Sequence, residues 1–124
     1  MCGVHNEHGL KLQFERTGEQ SVRAQAQLRN EFQGWQGIAH GGIALSLLDE
    51  AMAHAAGAAG WRGLTASLNA RFRKPVPLGE PLEVAARVKW TRRNVLEIEA
   101  DVRDASGTVL LEGEGRFVAA GRIE

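Results

Sequence analysis

A chain of 124 residues in which 15 Lys and Arg balance 15 Asp and Glu has no formal net charge, so its bulk electrostatics favour neither nucleic acid nor an anionic membrane. Its length suits one domain, residues 1–124, with enough chain for a real core and little for a second. The single cysteine, Cys2, excludes an intramolecular disulfide, no signal-peptide pattern opens the chain, and the most apolar run, Ile38 to Ala59, is broken by His40, Asp49, Glu50 and His54 and makes a poor membrane span; a cytoplasmic protein is expected.

Leu10 to Phe14 alternates apolar and polar residues, and so does Val22 to Leu28. With Thr17-Gly18-Glu19-Gln20 between them, the two runs read as a hairpin with one buried face. A Gly-rich loop holding Gly34, Gly37, Gly41 and Gly42 follows. From residue 42 to about 57 the chain is rich in Ala, Leu and Met, with no proline and no glycine until Gly57, which predicts a helix about 24 Å long. Leu64 to Arg73, Leu82 to Trp90, Val95 to Arg103 and Val109 to Val118 are the next strands, with turns at Lys74 to Gly79 and at Asp104-Ala105-Ser106-Gly107 among them.

Two strands, a long helix and then consecutive strands predict an α+β fold: an antiparallel sheet of about five to six strands with the helix on one face. Leu45, Leu48, Met52 and Ala55 lie on one side of that helix and Ile43, Leu47 and Ala51 on another. Its apolar surface therefore runs nearly all round and asks for a curved sheet wrapped about it.

The strand order, His40-Gly41-Gly42 at the helix start, Leu47-Leu48-Asp49-Glu50-Ala51-Met52-Ala53 within it, and the segment Asn69 to Val84 after it resemble the hotdog-fold acyl-CoA thioesterases. The resemblance is to the PaaI-type branch, typified by 4-hydroxybenzoyl-CoA and phenylacetyl-CoA thioesterases, and covers nearly the whole chain. It implies a long central helix wrapped by the sheet, and a sheet-to-sheet homodimer that often pairs again into a homotetramer.

Thioester hydrolysis needs a group that activates water or attacks the carbonyl, and donors where negative charge develops on its oxygen. Backbone N–H groups at a helix N-terminus supply the donors, and glycines allow close approach, which selects Gly41 and Gly42. A carboxylate in an apolar setting supplies the reactive group, and Asp49 is the candidate. Its neighbour Glu50, the second choice for that role and otherwise a substrate-binding residue, lies about 100° round the helix and faces elsewhere. Asp49 stands nine residues beyond His40, roughly 13 Å along the axis, so one helix cannot bring both to the same carbonyl. Two antiparallel helices in a two-fold dimer can, which predicts two shared sites per dimer.

By resemblance, the catalytic acid is Asp49, the oxyanion-binding amide is that of Gly41, and Thr65 helps to place the water. Many relatives carry an Asn six residues before the motif's His; here that position is Gly34, with Gln33 or Asn30 as the residues that could serve instead. Other residues have two readings. His40 contacts substrate or only anchors its loop, Trp35 covers the acyl pocket or packs locally, and Arg71, Arg73 and Lys74 meet the phosphates of coenzyme A or form a solvated edge. Arg92 and Arg93, in the next turn, come second to these. His54 reads as a core or interface histidine. Cys2, His5 and His8 lack a fourth ligand and the spacing of a zinc site, so no metal is expected.

The expectation is an acyl-CoA thioesterase for an aryl or medium-chain acyl group, needing no cofactor beyond the coenzyme A of its substrate. Asp49 activates water or attacks to give a transient anhydride, while Gly41 of the other subunit polarises the carbonyl. The alternatives are a non-catalytic module that binds acyl-CoA or another small ligand, suggested by Gly34, and a hydroxyacyl-thioester dehydratase, which wants a second well-placed His.

Overall fold

A computed structural model describes residues 12–28, 33–35, 38–39 and 41–122 of the chain. In order the elements are β1 (Glu15–Gly18), β2 (Ser21–Ala26), β3 (Gln33–Trp35), β4 (Ile38–Ala39), α1 (Gly41–Ala58), β5 (Trp61–Phe72), β6 (Leu82–Arg92), β7 (Val95–Asp104) and β8 (Val109–Arg122).

The Ala-, Leu- and Met-rich run forms α1 as its composition predicts. Gly60, at φ 93°, takes the left-handed conformation that turns the chain from the helix into β5. Arg16 on β1 donates from Nη2 to the carbonyl of Ala58 at 2.9 Å. That places a cation on the carbonyl end of the helix dipole.

Six strands form one antiparallel sheet in the order β1-β2-β6-β7-β8-β5, and β3 and β4 form a separate short hairpin just before α1. After α1 the chain lies at the far edge as β5, beside β8, then returns to the middle as β6 through a loop anchored by the buried Val76. In that loop the Gly79 N–H donates to the Leu28 carbonyl at 2.8 Å.

The core lies between α1 and the inner face of the sheet. Ala44, Leu47, Leu48, Ala51, Met52, Ala55 and Ala56 of the helix meet Val84, Leu96, Ile98, Val102, Leu111 and Phe117 of the strands, all fully buried. Two glycines of β8 let the helix come close. A Cβ on Gly113 would stand 2.5 Å from the Asn69 carbonyl oxygen and 2.9 Å from Leu48 Cδ2, and one on Gly115 would stand 2.9 Å from Met52 Sδ.

Three expectations change. Among the described residues the first strand is Glu15–Gly18: of the strand expected over Leu10 to Phe14, Leu12 and Phe14 pack against the core from outside the sheet, and Leu10 and Lys11 lie outside the described residues. The Gly-rich loop contains the β3–β4 hairpin. The sheet does not wrap the whole apolar surface of α1: Gly42, Ala53 and His54 are exposed, and Ile43, Leu45, Asp49 and Glu50 are half-buried on the side that it leaves open. Among the described residues no helix is long and apolar enough to cross a membrane.

Candidate active site

Asp49 sits halfway along α1, at the margin of the helix face that the sheet covers. On β5, Thr65 pairs across the ladder with Phe117, whose ring is wholly buried, so Thr65 also faces the helix. Its hydroxyl donates to Asp49 Oδ1 at 2.8 Å. Among the described residues the Asp49 carboxylate makes no other hydrogen bond or ion pair, and the residue is half-buried.

Glu50 diverges from its neighbour, as the helix period predicts. Its Oε1 lies 3.3 Å from His54 Nε2, one turn further on, and the His54 ring stacks on Phe14 with centroids 4.3 Å apart. With a side chain 45% exposed, His54 lies outside the core of this chain. The pairing draws Glu50 toward His54 rather than toward Thr65.

Gly41 opens α1, and the first N–H groups of any helix have no acceptor one turn earlier. It is exposed, and Phe72 Cζ lies 3.9 Å from where its Cβ would be. Eight residues separate Gly41 from Asp49, about 12 Å of helix, so the two do not meet within one chain. Gly42 accepts a hydrogen bond on its carbonyl from the Ser46 hydroxyl at 2.9 Å. His40 and Asn30 lie outside the described residues, as do the side chains of Gln33 and Trp35; Gly34 lies in β3.

β5 sorts its own residues by face. Its ladder with β8 slips by one between Thr65 and Ser67, a bulge at Ala66. Beyond the bulge Leu68 packs on the core, Ala70 opposes Gly113 and Phe72 reaches Gly41, so these three point toward the helix. Asn69 and Arg71 instead line an open hollow of about 580 Å³ on the outer face, with Arg87, Lys89 and Glu112. Arg73 shares that face, its Nε donating to Glu112 Oε1 at 2.9 Å. Arg71 and Arg73 are thus on the opposite side of the sheet from Asp49, while Lys74, exposed beyond the strand, donates its N–H to the Leu110 carbonyl at 3.1 Å. Arg92 lies at the other end of β6, its guanidinium 5.2 Å from the Trp90 ring centre, and Arg93 holds the next turn at φ 56°. Sequence reasoning passed over Phe72. The signal was its spacing, two and four residues from Ala70 and Leu68 on a strand.

Among the described residues no group of three His, Cys, Asp or Glu is placed to hold a metal ion, and Cys2, His5 and His8 lie outside them.

Residues 36–111 match the thioesterase superfamily. Among solved structures, a thioesterase superfamily protein is 34% identical with a TM-score of 0.82, over 86% of this chain and 53% of that one. This chain therefore spans about half the length of that protein. A hypothetical thioesterase of Streptococcus pneumoniae, solved with coenzyme A, is 18% identical with a TM-score of 0.86 over 92% of both chains. The PaaI protein from the phenylacetic acid degradation operon of E. coli is 17% identical with a TM-score of 0.83, over 90% of this chain and 80% of its own. No curated protein matches. The last two likenesses carry the fold: one helix on a curved, unclosed, six-stranded antiparallel sheet, the hotdog fold.

Proposed function

Because the chain belongs to the thioesterase superfamily, we propose that it hydrolyses acyl-CoA thioesters with a carboxylate–hydroxyl pair from one subunit and a helix N-terminal amide from its partner. The observation that carries this reading is the Thr65–Asp49 hydrogen bond, which holds Oδ1 and leaves Oδ2 for chemistry. As a base, Oδ2 takes a proton from water as the water oxygen adds to the carbonyl; as a nucleophile, it adds directly and gives an anhydride that water then opens. In both routes negative charge grows on the carbonyl oxygen, where the Gly41 N–H of the partner stabilises it. The Streptococcus pneumoniae thioesterase was also solved with an Asp→Ala and with a Thr→Ala substitution, sixteen residues apart. Asp49 and Thr65 have the same types and separation.

The partner is a second copy of this chain, joined along β5. That strand is a twelve-residue edge with Leu64 and Phe72 exposed beside it, and a long unprotected edge is a template for strand pairing. Residues opposite each other in an antiparallel pair must share a face. Centring the pair on Asn69 meets that condition: Leu68 opposes Ala70 of the partner subunit, and the bulge brings Thr65 opposite Phe72 of the partner subunit. The Asp49–Thr65 pair of one copy then lies beside the Gly41 end of the other. By their place in the sequence, Gln33, Trp35, His40 and Gly42, which precede or open α1, belong to the substrate site, and Lys74, exposed beyond the end of β5, is the cation for the coenzyme A phosphates.

Free-thiol release from aryl-, short- and long-chain acyl-CoAs, with wild type and Asp49→Ala in parallel, tests the reading. Turnover in wild type that falls about a thousandfold in the variant is expected; equal rates overturn it. Gly34, which offers no side chain where many relatives have Asn, favours one other reading, a module that binds acyl-CoA without turnover. Saturable binding by a wild type that releases no thiol would establish that instead.

A further inference from the structure

We infer that Phe72 is the residue that reads the acyl group, acting as the apolar wall beside the amide of Gly41. The inference rests on the thioesterase reading above, because it needs the substrate carbonyl at that amide. Phe72 faces the helix side of the sheet, where Leu96, Ile98, Leu111 and Phe117 are fully buried, yet it remains 49% exposed. Its ring stands 3.9 Å from the Cβ position of Gly41. Gly41 itself offers no side chain, so Phe72 supplies the apolar surface at this helix end.

The ring is presented from a rigid place. Phe72 pairs with Leu111 at the end of the β5–β8 ladder, and the N–H groups of Arg73 and Lys74 both donate to the Leu110 carbonyl, at 2.8 and 3.1 Å. A fixed aromatic face within reach of the carbonyl meets first the acyl carbons next to it. Flat or extended apolar acyl groups cover that face, and an acetyl group is too short to do so.

The test is equilibrium binding by calorimetry in the Asp49→Ala background, where substrate persists. The probes are benzoyl-CoA, hexanoyl-CoA, acetyl-CoA and free coenzyme A, with Phe72, Phe72→Leu and Phe72→Ala compared. Phe72→Ala is expected to weaken benzoyl- and hexanoyl-CoA about tenfold and acetyl-CoA and coenzyme A less than about twofold, with Phe72→Leu between. Equal weakening of all four, or none, overturns the assignment while leaving the thioesterase reading intact. Failure of every acyl-CoA to bind overturns both, and the thermal midpoint of Phe72→Leu separates lost binding from lost folding.

Discussion

Thr65 donates its hydroxyl hydrogen to Asp49 Oδ1 across 2.8 Å and ties edge strand β5 to the middle of α1. The bond selects one rotamer of the carboxylate and aims its other oxygen. Thr65→Ala and Thr65→Val should each lower kcat about tenfold to a hundredfold with KM little changed, and Thr65→Ser should keep most of it, because only the hydroxyl matters. Steady-state rates on one good acyl-CoA decide this. A Thr65→Val enzyme as fast as wild type would reduce the bond to a packing feature.

The register proposed for β5 puts Asn69 on the two-fold axis, opposite itself. Directly opposed residues in an antiparallel pair have Cβ atoms about 4.5–5.5 Å apart, close to what a disulfide spans. Asn69→Cys in a Cys2→Ser background should therefore give a covalent dimer under mild oxidation, and Leu64→Cys, displaced from the axis, should not. Non-reducing gel electrophoresis reads the outcome; a cross-link at Leu64 and none at Asn69 would shift or reject the register.

Much of this architecture was legible because local and tertiary demands agree. Val22, Ala24 and Ala26 alternate on β2 and are buried, and α1 runs one residue beyond each end of the predicted span. The first strand was misplaced where they disagree: Leu12 and Phe14 look like strand residues, but Phe14 is used to cover His54, and β1 is set by its backbone pairing with β2 while all four of its residues stay exposed. Of the site, Asp49 was legible as a carboxylate in an apolar helix and Thr65 only through family resemblance, since nothing local couples residues sixteen apart. The basic run Arg71, Arg73 and Lys74 drew attention from Phe72. Only the bulge at Ala66 settles which of these residues faces the helix.

Gly113 tests why the helix can sit so close to β8. A Cβ there would come within 2.5 Å of a backbone oxygen, that of Asn69, which cannot rotate away as a side chain can. Gly113→Ala should therefore cost about 1–3 kcal/mol. At Gly107, φ is 86° but nothing lies within 4 Å, so Gly107→Ala should cost only the backbone strain of about 1–2 kcal/mol, with the helix undisturbed. Urea unfolding gives both costs, and near-ultraviolet dichroism should change for Gly113→Ala alone. An unchanged Gly113→Ala midpoint would mean that the strands can part without penalty.

The turn between β7 and β8 makes a prediction about acid. Asp104 Oδ1 accepts from the Ser106 hydroxyl at 2.7 Å and from the N–H groups of Ser106 and Thr108 at 3.0 Å each. These bonds, the Ser106 hydroxyl foremost and the Thr108 N–H next, hold the Asp104 carboxyl below its ordinary value of 3.8. A carboxyl with a lower pKa folded than unfolded contributes stability that is complete above the unfolded value and is lost as pH falls through the folded one. Wild type should therefore unfold at a higher urea concentration than Asp104→Asn at neutral pH, and the gap should close as pH falls below about 4. The contribution is modest, because Asp104 is only half-buried, at a surface turn, and solvent screens it. A gap that stays constant from neutral pH down to about pH 2.5 would show that the substitution acts on the conformation of the turn rather than on the charge of Asp104.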